Sequence, residues 1–289
     1  MLATRIISGL IAGGIAFLVV LLGGGYFTIG LGVIVFLAQL EYFNMVKAKG
    51  INPAEKTTLV VSQLLLIVAT IAPSFTDAMF ALGGSVICFY VLFLPKFGTI
   101  TDISASILGL FYGGYLPSYW IRVREHLEPV FAANLPLNGY LPPNLFDSHH
   151  LPIGFTTTVV AYCSIVAADI SSFAVGKMMG KIRLTDISPK KTVEGAIGGV
   201  LGSITIATIG NWWFNWSCLS WKGVILGLLI GVIGLLGDLT ESVMKRDAGM
   251  KDSGELIPGH GGILDRVDSY IFTAPLVYYF VTLITPLCQ

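Results

Sequence analysis

The feature that most constrains this chain is a series of long apolar runs, joined by short polar links, that covers most of its length. A helix that crosses a bilayer needs about 20 mostly apolar residues, and backbone groups in lipid must pair within the segment. Only 12% of the residues are charged, about half the fraction in an average soluble domain. We therefore predict an all-α integral membrane protein, a single polytopic domain over residues 1–289 with about nine transmembrane helices. The predicted spans are 5–23, 26–46, 58–74, 77–95, 101–121, 153–176, 192–211, 223–244 and 266–286.

The distribution of lysine and arginine predicts the orientation, because cytoplasmic loops are enriched in basic residues. With a cytoplasmic N-terminus and nine spans, 14 of the 17 basic residues fall on the cytoplasmic side. The other three are Arg122, Arg124 and Lys222. The C-terminus then lies on the opposite side, and two polar loops, 177–191 and 245–266, share the cytoplasmic face.

Composition and cysteine spacing narrow the classes of partner. The 17 basic and 17 acidic residues cancel, which gives no sign of a nucleic-acid partner. The four cysteines have no metal-binding spacing. The adjacent His149 and His150 resemble a metal site only weakly, and a solvated external loop is the favoured interpretation.

Acidic side chains within apolar runs are the most informative exception, since each costs roughly 2.5–3.5 kcal/mol at mid-bilayer. The eighth span carries polar residues on one face, at i, i+3, i+4 and i+7: Asp238, Glu241, Ser242 and Lys245. Asp265 and Asp268 share a face at the start of the ninth span, which runs antiparallel to the eighth. Converging carboxylates without soft ligands indicate a hard cation, and Mg²⁺ fits best because it also takes substrate phosphates. The alternative is a buried salt-bridge network with Lys245, Arg246 and Arg266.

The loop between the eighth and ninth spans supplies positive charge around glycine-rich backbone: Lys245, Arg246, Lys251 and Arg266. Gly261 and Gly262 precede the ninth span, whose N-terminal N–H groups and dipole favour a phosphate. His260 is equally compatible with a phosphate contact, an acid role or a structural role. Farther upstream, the sequence leaves two interpretations of Glu41: an ion pair with Lys47 or a role in the site.

A second polar segment covers residues 169–195. Its residues of interest are Asp169, Ser188, Lys190, Lys191, Thr192 and Glu194. The Ser-Pro step at Ser188 predicts a helix start, with Thr192 and Glu194 in the early turns. The two lysines either contact phosphates or only anchor the loop at the cytoplasmic surface. Anchoring is the stronger interpretation for any lysine pair, but the second basic loop on the same face weakens it.

Carboxylates, cations around a glycine-rich turn and a membrane-edge position together indicate phosphoryl or nucleotidyl transfer to a lipid. Spacing does not name the nucleotide. An alternative from another class is a transporter in which Asp169 and Asp238 couple ion movement. Against it, the polar residues cluster at one face instead of at mid-depth, and no repeated broken helix is evident.

Residues 242–268 resemble the signature of the phosphatidate cytidylyltransferase (CDP-diacylglycerol synthase) family. The matching residues are Ser242, Lys245, Arg246, Lys251, Asp252, Pro258, His260, Gly261, Gly262, Asp265, Arg266 and Asp268. The upstream motif of the family is similar to residues 169–195, although Ser171 and Ser172 stand where many members have a Gly-Ala pair. Residues 1–150 match only as apolar N-terminal helices, so residues 153–289 form the expected catalytic half.

The resemblance implies transfer of CMP from CTP to phosphatidate, which gives CDP-diacylglycerol and pyrophosphate without a protein nucleophile. It implies Mg²⁺ held by Asp238 and Asp265 with support from Asp268, and it raises K⁺ as a second cation. It also implies a cell (inner) membrane enzyme with its site facing the cytoplasm, often a homodimer. A CTP-dependent lipid kinase acting on a polyprenol or phytol is the nearest alternative.

The resemblance also assigns roles to individual residues. The expected catalytic residues are Asp238, Asp265, Asp268, Lys245, Arg246 and His260. The expected substrate-binding residues are Asp169, Ser188, Lys190, Lys191, Thr192, Glu194, Ser242, Lys251, Asp252, Gly261, Gly262 and Arg266. Which cation contacts which phosphate stays open at this point.

Overall fold

Helices account for most of the described chain. The computed structural model describes residues 2–93, 98–127, 133–142, 151–214, 216, 221–256 and 261–284. Within these ranges the α-helices are α1 Leu2–Leu22, α2 Gly24–Ala48, α3 Glu55–Ile71, α4 Thr76–Leu92, α5 Ile100–Leu110, α6 Leu116–Glu125, α7 Ile153–Met179, α8 Val193–Trp213, α9 Trp221–Asp247 and α10 Leu264–Tyr279. Two π-helical turns, Phe111–Tyr115 and Phe280–Ile284, and two 3₁₀ turns, Pro73–Phe75 and Pro136–Asn138, complete the set. The predicted all-α class is confirmed for the described residues.

Six helical segments of the described chain are long and apolar enough to cross a membrane. They are Gly24–Ala48, Pro73–Leu92, Ile153–Met179, Val193–Trp213, Trp221–Asp247 and Leu264–Ile284. The other three predicted spans are also helical. α3 has 17 residues, α5 ends at a π turn within the predicted span 101–121, and the apolar stretch found in α1 is Gly13–Leu22. Six candidate spans are therefore observed, whereas the count of nine and the orientation of the termini stay predictions.

The helices of the C-terminal half pack closely because glycines lie where they meet. A β-carbon on Gly199 of α8 would lie 3.0 Å from the carbonyl oxygen of Ala168 on α7. A β-carbon on Gly237 of α9 would lie 2.8 Å from the carbonyl oxygen of Asp268 on α10. Larger residues would separate the backbones. Gly199 therefore allows close packing of α8 on α7, and close α9–α10 contact brings the acids of those two helices together.

The N-terminal helices support α10 from its other side. The indole N–H of Trp120 on α6 donates to the carbonyl oxygen of Tyr270 at 3.0 Å. Between α5 and α6, the π turn is held by α2, where the Gln39 amide donates to the carbonyl oxygen of Gly109 at 2.9 Å. The same amide donates to Ser62 of α3 at 2.7 Å. These contacts fix the N-terminal half against the helix that carries two of the candidate site acids.

The polar loops that follow α7 and α9 lie at the same end of the helices. Arg246 Nε donates to the carbonyl oxygen of Ile187 at 3.4 Å, which joins the two loops directly. Arg124, assigned by sequence to the side opposite these loops, donates to the carbonyl oxygen of Val20 near the C-terminal end of α1 at 2.7 Å. The predicted meeting of the two loops is confirmed. His149 and His150 lie outside the described residues.

Candidate active site

One group of acids dominates the polar end of the helices. Asp238 and Glu241 of α9 and Asp268 of α10 each place a carboxylate oxygen within 4.8 Å of the others. Glu241 is fully buried and Asp268 is 7% exposed, while Asp238 is half-buried. The spacing of i, i+3 on α9 puts its two acids on one face, and α10 supplies the third. We call these three residues the acid triad.

The carboxylate oxygens of the acid triad accept few hydrogen bonds from the described residues. Asp238 forms an ion pair with Lys191, and Asp268 Oδ1 accepts the backbone N–H of Ser269 at 2.7 Å. Glu241 Oε2 lies 2.6 Å from the Lys245 ammonium, yet neither of its buried oxygens has a well-aligned hydrogen-bond donor among the described residues. Like charges held in a poorly solvated site repel one another. The triad therefore has spare oxygen ligands and spare negative charge, as a hard-cation site requires.

Asp265 lies outside the triad and holds the α9–α10 loop instead. Its Oδ2 accepts the backbone N–H groups of Ser253 at 3.0 Å and Gly262 at 2.9 Å. The Ser253 hydroxyl lies 3.0 Å from the same oxygen. Its Oδ1 pairs with Lys245 at 2.5 Å. Lys245 therefore bridges Asp265 and Glu241, and the partners of Asp265 are those of a residue that orders the loop.

Glu41 completes this arrangement from α2. Its two oxygens accept the backbone N–H groups of Ile263 at 3.0 Å and Leu264 at 2.9 Å. The Ser253 hydroxyl also donates to Glu41, at 2.8 Å. Lys47 pairs with Glu55 instead, so the alternative of a Glu41–Lys47 ion pair is wrong. We call Glu41, Ser253 and Asp265 the loop anchor.

A small cavity of about 40 Å³ lies between α7, α8 and α9 and reaches the acid triad at Asp238. Its polar lining is formed by Asp169, Ser172, Lys191, Asp238 and Ser269. Apolar side chains and glycines of α7, α8 and α9 line the rest. A ligand in this cavity would contact both the Lys191–Asp238 pair and the apolar interior of the helix group.

Comparison with known proteins agrees with this geometry. A family model described as the cytidylyltransferase family matches residues 3–284. The chain belongs to this family. It is 55% identical to the phosphatidate cytidylyltransferase of Synechocystis sp., over 98% of this chain and 97% of that protein. It is also 38% identical to the chloroplastic phosphatidate cytidylyltransferase 4 of Arabidopsis thaliana, over 97% of this chain and 73% of that one.

The similarity also extends over nearly the whole length of a less similar relative. The phosphatidate cytidylyltransferase of Bacillus subtilis is 29% identical over 96% of this chain and 97% of that protein. The family resemblance read from residues 242–268 is thus confirmed. It extends over the N-terminal helices, which the sequence motifs alone did not cover.

In this cytidylyltransferase the start of α10 differs from expectation. The backbone N–H groups of Gly262, Ile263 and Leu264 donate to Asp265 and Glu41. They are therefore not free for a phosphate, contrary to the expectation for the N-terminus of this helix. Carboxylates satisfy these donors and interact favourably with the helix dipole. Gly261 has a left-handed backbone, with φ of 82°, and Pro258 and His260 lie outside the described residues.

The second loop begins its helix later than predicted. α8 starts at Val193, and Thr192 is its N-cap, with Oγ1 accepting the Gly195 N–H at 3.1 Å. The predicted start at Ser188 is wrong because backbone bonds fold this segment back on itself. The N–H of Val193 donates to the Ile182 carbonyl oxygen at 2.9 Å. Thr192 and Glu194, expected to contact substrate, both bond within this loop.

The predicted cations occupy two kinds of position. Lys191 and Lys245 pair with triad acids. Arg246 joins the two loops through Ile187 and also donates to the carbonyl oxygen of Met250 at 3.1 Å. The remaining predicted cations are exposed on the same polar end: Lys190, Lys251 and Arg266. Of the other predicted residues, Ser242 is buried on α9 and Asp252 is exposed beside the loop anchor.

Two acids of this arrangement were not among the predicted site residues. Glu241 shares the Asp238 face of α9, so its spacing already carried a signal. Whether Asp265 or Asp268 faces α9 depends on the register between two helices, which spacing within one helix does not determine. Glu41 is distant from its partners in the sequence and lies 222 residues before Ile263. A buried acid near the cytoplasmic end of a span was its only signal.

Proposed function

We propose that this protein transfers the cytidylyl group of CTP to phosphatidate, forming CDP-diacylglycerol and pyrophosphate. The observation that carries the proposal is the acid triad with its two lysines, of which Asp238 and Lys191 also line a small cavity between apolar helices. The supporting comparison is 55% identity to a Synechocystis phosphatidate cytidylyltransferase over 98% of the chain.

The proposed reaction needs no protein nucleophile. A phosphate oxygen of phosphatidate attacks the α-phosphorus of CTP, and the bond from that phosphorus to the bridging oxygen of the β-phosphate breaks. The electron pair leaves with pyrophosphate. The protein then has to hold two anionic substrates in line and neutralise charge on the phosphate oxygens. Lysines next to buried acids at a cavity mouth are suited to that task.

The donor set of the triad fits Mg²⁺. Its side-chain ligands are all carboxylates, which suit hard cations, and neither buried oxygen of Glu241 has a well-aligned hydrogen-bond donor among the described residues. We propose that Asp238, Glu241 and Asp268 hold Mg²⁺, which when bound would neutralise phosphate oxygens of CTP. Asp265 then keeps Lys245 and the loop in place. We extend the proposal to K⁺ as a second cation, with Asp169 as a further carboxylate in the cavity.

The basic residues at the polar end are proposed to bind phosphates. Lys191 lines the cavity beside Asp238, so we assign it to the phosphate nearest the reacting phosphorus. Lys245 is fixed between Glu241 and Asp265, which suits it to orient acids and neutralise charge. The exposed Lys190, Lys251 and Arg266 would contact the outer phosphates, the lipid phosphate or the leaving pyrophosphate.

The membrane arrangement is also part of the proposal. We place the protein in the cell membrane with nine spans, the N-terminus and active site on the cytoplasmic side, and two copies as a homodimer. Single cysteines at Lys190 and at Asn134 would test the orientation by labelling with a membrane-impermeant thiol reagent in a variant without the native cysteines. In intact cells, only the Asn134→Cys variant should be labelled. Labelling of Lys190→Cys there would contradict the orientation.

Labelled CTP separates the proposed reaction from its nearest alternative. Purified protein is incubated with phosphatidate and Mg²⁺, together with CTP labelled on either the α- or the γ-phosphorus. We expect the α-label in the lipid product and the γ-label in pyrophosphate. Transfer of the γ-label to a polyprenol or phytol, with release of CDP, would replace the proposal by lipid-kinase activity. Ion flux in sealed vesicles without CTP turnover would instead favour a transporter.

A further inference from the structure

Tyr112 carries a buried hydroxyl that the protein does not satisfy. The side chain is 1% exposed, and its Oη has no hydrogen-bond partner among the described residues. Buried polar groups in folded proteins are nearly always hydrogen-bonded, so an unpaired one needs a reason. One such reason is that the hydroxyl forms its hydrogen bond only when a ligand is bound.

The surroundings of Tyr112 lead to the acid triad. Its ring packs against Phe272 of α10, with the ring centroids 5.6 Å apart. Phe272 lies one helical turn after Asp268, on the same side of α10. Tyr112 also belongs to the same buried cluster as Leu264 and Ile271 of α10, the helix that carries Asp268. Tyr112 therefore brings a hydroxyl from the N-terminal half to the apolar side of the triad.

The backbone that presents Tyr112 is unusual. It lies in the π-helical turn Phe111–Tyr115, between α5 and α6. The turn packs tightly, because a β-carbon on Gly114 would lie 2.6 Å from Ser62 Oγ. π-helical turns insert an extra residue, change the direction of nearby side chains and occur often at functional sites. A regular helix through this segment would rotate the Tyr112 side chain away from α10.

We propose that Tyr112 is a positioning residue for the acid triad. When the site holds Mg²⁺, the Tyr112 hydroxyl donates a hydrogen bond to the Asp268 carboxylate, directly or through one water molecule. This inference rests on the proposed metal site. The hydroxyl would fix which Asp268 oxygen faces the cation, as outer hydrogen bonds do for metal ligands in general. The N-terminal helices would then contribute to the metal site as well as to packing.

The test compares two tyrosines of the same hydrophobic cluster. Tyr112→Phe removes the hydroxyl and keeps the ring. Tyr42→Phe is the matched control, because Tyr42 is also buried and its hydroxyl already donates to the Ala105 carbonyl oxygen at 2.8 Å. Two quantities are measured in detergent: the Mg²⁺ concentration for half-maximal turnover, and the rise in Tm on adding Mg²⁺ without substrates.

We expect Tyr112→Phe to raise the half-saturating Mg²⁺ concentration about tenfold, since loss of an outer partner typically costs 10–100-fold in metal affinity. The Mg²⁺-induced rise in Tm should shrink, while Tm without Mg²⁺ stays at or above the wild-type value. Tyr42→Phe should leave both Mg²⁺ responses unchanged and lower Tm without Mg²⁺. Wild-type Mg²⁺ responses in Tyr112→Phe, or equal shifts in both variants, would overturn the inference.

An Asp268→Asn variant separates failure of this inference from failure of the proposed function. If Asp268→Asn loses turnover and the Mg²⁺-induced rise in Tm while Tyr112→Phe behaves as wild type, only the role of Tyr112 is wrong. If Asp268→Asn keeps both, the proposed metal site is wrong, and the inference about Tyr112 is overturned with it.

Discussion

The acid triad and the loop anchor are built from the same residue types, lie next to each other and share Lys245, but they differ in their hydrogen-bond donors. In the anchor, Glu41 accepts three hydrogen bonds. Asp265 accepts three more, from two backbone N–H groups and the Lys245 ammonium. In the triad, a single backbone N–H serves Asp268, and Glu241 has no well-aligned donor among the described residues. Carboxylates whose oxygens are fully hydrogen-bonded hold the backbone in place, whereas carboxylates with few hydrogen-bond donors are available to a cation.

Glu241→Gln should have the largest effect on turnover, because it removes charge from the triad while keeping the side-chain volume. We expect turnover to fall at least about a hundredfold, as for loss of one preorganised electrostatic group in an active site. Tm without Mg²⁺ should stay the same or rise, because the triad and Asp265 together hold four acids against two paired lysines, and Lys245 keeps Asp265 as a partner. Turnover within threefold of wild type would show that Glu241 belongs functionally with the anchor.

Glu41→Gln should have the largest effect on stability, because an amide NH₂ would face backbone N–H donors. We expect a loss of about 3 kcal/mol in the free energy of unfolding, seen as a decrease of several degrees in Tm in detergent. The remaining activity should keep a wild-type Mg²⁺ dependence, since the triad is untouched. The matched control is Glu55→Gln, which affects only the pair with Lys47 and should change Tm little.

An opposite pattern in Glu41→Gln would break the distinction between the two clusters. Unchanged Tm with abolished turnover and altered Mg²⁺ dependence would place Glu41 among the cation ligands. Unchanged Tm and unchanged turnover would show that the Ser253 and Ile263 contacts do not determine the position of the loop.

Lys191 and Lys190 provide a comparison between adjacent residues of one loop. Lys191 pairs with Asp238 and lines the cavity, whereas Lys190 is exposed. We expect Lys191→Met to lower kcat/KM about tenfold, which corresponds to ~1.4 kcal/mol. Lys190→Met should lower it less than threefold. The measurement is kcat and KM for CTP and for phosphatidate. Equal effects of the two variants would favour anchoring of the loop as the role of both lysines.

The sequence predicted the elements that depend on local pattern. Helical runs, the close α9–α10 pairing and the presence of acids from both helices at one end follow from apolar length and from i, i+3 spacing. The carboxylate predicted to approach Asp238 was that of Asp265, whereas the structure places Asp268 there. The predicted metal ligands included Asp265 and not Glu241, whereas the acid triad includes Glu241 and not Asp265. The prediction differed because the register of two packed helices depends on side chains from both. Glu41 and Tyr112 were not predicted in the site, because their contacts cross most of the chain.

Gly249→Ala should have the smallest effect, because Gly249 belongs to the α9–α10 loop but not to the anchor. Its φ of 70° is left-handed, and a β-carbon there would meet no atom within 4 Å. The expected cost is the backbone strain alone, about 1 kcal/mol, with turnover within twofold of wild type. Gly262→Ala is the contrasting variant, because its β-carbon would collide with Ser253 Oγ and Glu41 Oε2.

The pair of glycine variants measures how far the anchor extends along the loop. Gly262→Ala should lower both Tm and turnover clearly more than Gly249→Ala does, since it displaces a carboxylate that holds the start of α10. A large loss of turnover in Gly249→Ala without a change in Tm would show that the turn after α9 has a role in substrate binding. The anchor would then be only one of two places where this loop is held for the reaction.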